Sequence, residues 1–252
     1  MRKILILSLC FLGFWYTATA RPAFKVLVLY EQGGNHTEYS KAARIWLDSL
    51  ASKESFAITY VYNTKSFDDE FLRNFKLIIQ LDYPPYAWSP EAMKAFRAYI
   101  EEGKGAWIGF HHATLLGDFD GYSMWPWFSY FMGDIVFKSY IPGFASAEVQ
   151  LEKRAHPIFK GIPEKFVVKR EEWYTYNQSP RAHVEVLANA NENSYVPAQV
   201  PKMGDHPVIW SNPNVKSRNL YIFMGHGADL LDNTYYKKLF KNSILWAVTP
   251  YL

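Results

Sequence analysis

Cysteine is almost absent from this sequence. The 252 residues contain one, Cys10. Residues 11–252 therefore hold no disulfide, no thiolate metal ligand and no cysteine nucleophile. Leu7-Ser8-Leu9 ahead of Cys10 fits the processing of a lipoprotein anchor poorly. A charge excess is missing too: 27 Lys and Arg stand against 24 Asp and Glu, too little basicity for nucleic-acid binding. Beyond the first residues, no stretch approaches the ~20 apolar residues of a membrane span. Phosphate and nucleophile motifs are missing as well. There is no P-loop, no G-x-S-x-G elbow and no G-x-G-x-x-G opening a helix, and Gly33-Gly34 alone is too little for a dinucleotide site.

What is present begins with an address. Arg2-Lys3, an apolar run from Ile4 to Tyr16, and Thr17-Ala18-Thr19-Ala20 form the three parts of a secretory signal peptide. Cleavage is expected after Ala20, leaving residues 21–252 as one domain in the periplasm or secreted. The leader takes two of the 27 basic residues, so 25 remain against 24 acids. Aromatics are abundant, with 9 Trp, 18 Tyr and 18 Phe. They either fill a core or stack on flat apolar faces such as those of sugars.

The first half alternates strand and helix patterns. Apolar runs at Phe24–Tyr30, Phe56–Tyr62, Lys76–Leu81 and Gly105–Phe110 read as buried strands. Helical spacing covers Glu38 to about Ala51, a short piece from Asp68 to Asn74, and Pro90 to Glu102. That last helix opens on Ser89-Pro90 and stops at Gly103. The alternation predicts an α/β fold with a doubly wound, mainly parallel sheet and a site beyond the carboxyl ends of its strands. The second half predicts an aromatic helix over Trp125–Gly133, extra strands at Ala147–Leu151, Phe166–Val168, Val184–Leu187 and Val208–Trp210, and a last core strand at Asn219–Met224. A helix over Asn233–Ala247 closes the chain. The polar stretch Asn189–Lys202 reads as a surface loop.

Polar residues fall at the predicted strand ends. His36 follows the first strand, His111 ends the fourth, His226 follows the last, and Glu172 lies in Arg170-Glu171-Glu172-Trp173-Tyr174. His111 and His226 both follow an apolar strand and have glycine beside them. Two or three His plus a carboxylate form a ligand set for Zn, Fe or Mn, although no local spacing such as H-E-x-x-H supports it. The same residues also suit metal-free acid/base chemistry. The cofactor is left open, a divalent metal such as Zn with ligands His36, His111, Glu172 and His226 being one choice. Asp82 and Asp118 are either further site residues or turn residues. His156 and His206 precede prolines and read as turn residues, and His183 as exposed. Asn35-His36-Thr37 is formally a glycosylation acceptor.

Gly33-Gly34-Asn35-His36, Gly109-Phe110-His111-His112-Ala113-Thr114, Trp125-Pro126-Trp127-Phe128, Glu171-Glu172-Trp173-Tyr174, Pro207-Val208-Ile209-Trp210 and Gly225-His226 resemble the ThuA-like (trehalose utilisation) family. The resemblance spans residues 21–252 in the family's order. Where the family has Asp-Glu, this chain has Glu171-Glu172, so the glutamate role passes to Glu172. The resemblance implies a flavodoxin-like sheet of the class I glutamine amidotransferase kind, with extra strands and loops in the second half. In that superfamily a nucleophilic cysteine sits on the turn after a central strand; here His111 stands there, so thiol chemistry is excluded. The family's association with sugar catabolism implies an enzyme acting on a mono- or disaccharide or its keto derivative. His111, Glu172 and His226 would be catalytic, with His36, His112, Trp125, Trp127, Trp173 and Tyr174 binding substrate. The competing expectation is a non-catalytic sugar-binding protein with a stacking platform of Trp88, Trp125, Trp127 and Trp173. A small carbohydrate and an oxidoreductase are the expected partners; nucleic acid and a membrane span are not.

Overall fold

A computed structural model describes residues 22–34 and 36–252. The expected signal peptide, its cleavage site and Asn35 lie outside the described residues. In chain order the elements are β1 (Lys25–Tyr30), α1 (Thr37–Glu54), β2 (Ala57–Val61), α2 (Asp69–Leu72), β3 (Leu77–Leu81), α3 (Pro90–Glu101), β4 (Ala106–Phe110) and α4 (Pro126–Phe131). They continue with β5 (Phe137–Tyr140), β6 (Ala145–Leu151), β7 (Lys165–Glu171), β8 (Tyr174–Tyr176), β9 (Glu185–Val196), β10 (Pro207–Ser211), β11 (Asn219–Ile222) and α5 (Thr234–Val248).

Nine strands form one sheet in the order β2-β1-β3-β4-β11-β10-β9-β6-β7. The first five run parallel, and the rest join antiparallel. The parallel part has the flavodoxin-like order, in which the direction of strand succession across the sheet reverses between β1 and β3. Val26–Leu29, Leu77–Ile79, Ala106–Ile108 and Leu220–Ile222 are wholly buried. That burial on both faces is why these strands read as continuous apolar runs. The caps form as the sequence predicts: Ser89 Oγ accepts from the Ala92 N–H at 3.2 Å, and Gly103 takes the left-handed conformation at φ 75°.

Two expectations need correction. Asn189–Lys202 is not a loop throughout, because β9 continues to Val196, between β6 and β10. Its Asn-rich composition reads as loop, yet Ala188, Ala190 and Glu192 alternate with the half-buried Asn189 and Asn191 at the strand period. His206 is also more than a turn residue. It is buried, its Nδ1 lies 3.0 Å from Glu192 Oε1, and the Glu192 carboxylate accepts the N–H groups of Met203 and Gly204 at 2.7 Å each. The pair ties the segment after β9 to the sheet. The strand pair β5–β8, which the sequence pattern did not suggest at Phe137–Tyr140, lies over the cleft described below. No helix among the described residues is long and apolar enough to cross a membrane.

Burial opposes ionisation of Glu192, but hydrogen bonding to His206 and to the two backbone N–H groups outweighs it and lowers the carboxyl below 4.5. A lowered carboxyl stabilises the fold above its unfolded value, and the stabilisation disappears as pH falls through the folded value. Glu192→Gln should therefore cost about 1.5–3 kcal/mol near neutrality and flatten the acid side of the stability curve. Thermal melts from neutral pH to pH ~3 test this. Parallel curves for the two proteins would show that Glu192 has no such role.

Candidate functional site

Four parallel strands end on one side of the sheet, and each delivers polar groups there. Glu31 and His36 follow β1, Asp82 follows β3, His111 follows β4, and Gly225-His226 follow β11. Glu171 ends β7, and Glu172 precedes β8. Asp82 and His111 hold φ of 53° and 35°, left-handed backbone that non-glycine residues adopt only when their surroundings impose it. The His111 turn is held by its own carbonyl, which accepts from Tyr221 Oη at 2.9 Å and Thr114 Oγ1 at 3.1 Å.

The donor atoms of His36, His111, Glu172 and His226 all lie within 4.8 Å of one another. His36 Nε2 is 2.8 Å from His226 Nδ1. Glu172 Oε2 is 3.9 Å from both His111 Nε2 and His226 Nδ1. His111 Nδ1 is 3.2 Å from the Phe223 carbonyl. A carbonyl only accepts, so Nδ1 carries the proton and Nε2 is left as a lone pair. Glu31 Oε2 sits 3.1 Å from His112 Nδ1 and 3.5 Å from His36 Nδ1. Behind the histidines, Glu171 accepts the N–H of Glu172 at 3.1 Å, of Gly225 at 3.1 Å and of His226 at 3.5 Å.

Burial sorts these groups electrostatically. It drives the His36 and His111 imidazoles below 6.5, Glu31 partly offsetting it at His36, and together with His36, His112 and Arg170 it pushes His226 down to about 3. Glu171 is raised to about 8 by burial, against its three backbone N–H donors. Burial raises Asp82 well above the usual carboxyl range, with Glu31 and Glu171 adding to it. Burial raises Glu172 too, against the pull of His112. Glu31 goes the other way: burial opposes ionisation, yet hydrogen bonding to His112 and His36 holds it at about 2.

His36, His112, Glu172 and Tyr174 line an open cleft of about 350 Å³, walled by Leu115, Phe119, Phe137 and Tyr140. The structure thus brings His36, His111, His112, Glu172, Tyr174 and His226 together. Tyr174 packs on the His111 ring at 4.5 Å between centroids. The tryptophans are elsewhere, which corrects the expected platform. Trp173 is fully buried, stacked on Phe223 at 5.3 Å, with its Nε1–H donating to the Ala145 carbonyl. Trp88, Trp125 and Trp127 pack around Phe96 and Phe128 beside α3 and α4 and do not line the cleft. A buried face of that size is filled by large rings, and filling it leaves none of them for a ligand. Asp118 serves a turn, accepting the Met124 N–H at 2.8 Å. Asp82 is wholly buried, and neither of its oxygens has a hydrogen-bond partner among the described residues.

Sequence reasoning missed Glu31, the cleft walls Phe119, Phe137 and Tyr140, and the orienting place of Glu171. Glu31 had a legible cue, an acid directly at the end of the first parallel strand. The walls had none, because β5 pairs only with the distant β8.

A family model described as ThuA, trehalose utilisation, matches residues 25–247. Among solved structures, a ThuA-like protein of Bacteroides uniformis is 29% identical with a TM-score of 0.80, over 93% of this chain and 95% of that one. A ThuA-like protein of Parabacteroides merdae is 18% identical with a TM-score of 0.68, over 91% of each chain. A Thermoplasma acidophilum protein described as a GMP synthase component is 13% identical with a TM-score of 0.52, over 90% of this chain and 95% of that one. The last two share the fold. No curated protein matches the chain.

Gly225 is packed closely between two residues of the site. A Cβ there would stand 2.7 Å from Asp82 Oδ1 and 2.9 Å from His111 Cβ. Gly225→Ala should therefore destabilise the protein by about 1–3 kcal/mol through overpacking. Urea unfolding measures this. An unchanged midpoint would mean that Asp82 and His111 yield freely and are not rigidly held.

Proposed function

Given that the chain belongs to the ThuA (trehalose utilisation) family, we propose that it is a secreted or periplasmic enzyme of carbohydrate catabolism. It acts on a mono- or disaccharide, or the keto derivative of one, through its His/Glu centre. The observation that carries this reading is the convergence of the donor atoms of His36, His111, His226 and Glu172 beyond the parallel strand ends, with His36 and Glu172 lining the cleft. The leader pattern of residues 1–20 supports secretion.

A ring carbonyl acidifies the proton on the neighbouring carbon. Its removal needs one base and an electrophile at the carbonyl oxygen. Glu172 is the base. It lines the cleft beside His36, its side chain is 22% exposed against 4% for His36, and burial makes it more basic than a free carboxylate. The electrophile at the carbonyl oxygen has to act from the imidazole side of the site, next to Glu172. Phe119, Phe137, Tyr140 and Tyr174 supply flat faces for the C–H surface of a sugar ring. An oxidoreductase that forms the ring carbonyl is the functional partner this chemistry calls for. Cysteine chemistry plays no part, because His111 occupies the turn after β4 and residues 11–252 contain no cysteine. The non-catalytic alternative loses its main support, since Trp88, Trp125 and Trp173 are buried in the core and the half-buried Trp127 packs against it, away from the cleft.

The test is incubation with trehalose and with keto-disaccharides in D2O, with products and deuterium beside the carbonyl read by NMR. Turnover or exchange of a keto-sugar is expected, and Glu172→Gln should slow it about 10²–10⁴-fold while sugar binding persists. Undiminished rates in Glu172→Gln, or sugars that bind with neither turnover nor exchange, would contradict the proposal.

A further inference from the structure

We infer that His36, His111 and His226 hold one divalent transition-metal ion at the floor of the cleft, with Glu172 beside its open position. The inference deepens the reading above and rests on it for the role of Glu172 alone.

The nitrogen lone pairs converge for identifiable reasons. His111 Nε2 is buried with no hydrogen-bond partner among the described residues, while its Nδ1–H is committed to the Phe223 carbonyl. That pattern, one ring nitrogen anchored and the other bare, is how ligand histidines are oriented. On the other side His36 Nδ1 faces the Glu31 carboxylate at 3.5 Å, a charge contact that favours a proton there and leaves Nε2 as the lone pair. His226 Nδ1 meets that Nε2 at 2.8 Å, and two such nitrogens need either a proton or a cation between them.

The donor set also selects the ion. Three imidazole nitrogens with a carboxylate nearby suit Zn²⁺ and its first-row neighbours, and suit Ca²⁺ or Mg²⁺ poorly. Three protein ligands and an open position are the arrangement of a catalytic site. The side chains of His36, His111 and His226 are 4%, 0% and 10% exposed, against 22% for Glu172. Hence the imidazoles form the floor, and Glu172 is the group that reaches substrate. Such an ion would polarise a sugar carbonyl, the electrophilic part that the imidazoles alone supply weakly. Glu31 is then a positioning residue, acting through His36.

The full chain, stripped with a chelator, is titrated calorimetrically with ZnSO4 and separately with CoCl2, the latter also followed by visible absorption. One equivalent of Zn²⁺ should bind, and Co²⁺ should give the d–d bands of a nitrogen-rich site. Binding should be lost in His111→Ala and His226→Ala, and also in the gentler His111→Gln and His226→Asn should the alanine variants fail to fold. Glu31→Gln should weaken binding about 10–100-fold. Glu172→Gln should still bind one equivalent. A wild-type chain that binds neither ion overturns the inference, as does unchanged binding in the folded histidine variants. Loss of binding in Glu172→Gln would overturn the separation of base from ligands. The titration contains no sugar, so its failure leaves the turnover test standing, and the reverse also holds.

Discussion

The hydrogen bond from His111 Nδ1 to the Phe223 carbonyl is the constraint on which the site depends. It joins the ends of β4 and β11, fixes one imidazole tautomer, and aims the bare Nε2 at His36, His226 and Glu172. The backbone does not favour this by itself, since His111 sits at φ 35°. The surroundings impose it. Tyr221 and Thr114 grip the His111 carbonyl, Trp173 stacks flat on the Phe223 ring, and Gly225 lets Asp82 and His111 approach where a side chain would not fit. The buried tryptophan thus matters to the site through the strand it steadies and touches no ligand.

Four carboxyl groups around the histidines are separated by environment alone. Glu31, paired with two imidazoles, stays ionised at about 2. Glu171, buried on three backbone donors, is raised to about 8. Asp82, buried with no hydrogen-bond partner among the described residues, is raised well above the usual range. Glu172, half-buried at the cleft, lies above an ordinary carboxylate and reaches solvent. Identical chemistry in four settings yields an orienting anion, a buried acid on backbone donors, an isolated buried acid and a base. The neutral imidazoles follow from the same burial.

Much of this was legible in the sequence. The strands ending at Tyr30, Leu81 and Phe110 are apolar runs, and their alternation with helices specifies a parallel sheet. Histidines in the segments that follow such strands mark the carboxyl ends, so His36, His111 and His226 are legible from the sequence. What was illegible depends on pairing between distant segments. The Asn-Ala alternation of β9 looks like loop composition until β6 and β10 lie on either side of it. A tryptophan's character does not say whether its ring meets a sugar or Phe96. Phe137 and Tyr140 become cleft walls only because β5 pairs with β8. Glu31 was in plain view at a strand end, and its value emerged only when His36 and His112 were found on its two sides.

On the inference drawn above, the three imidazoles of this sheet end share one ion. Anomalous diffraction at the zinc edge, from crystals grown with zinc, addresses it most directly. The account predicts one strong peak about 2.0–2.1 Å from His36 Nε2, His111 Nε2 and His226 Nδ1, with Glu172 beside its remaining open position. No peak there, or a peak held by Glu31 and His112 instead, would contradict it.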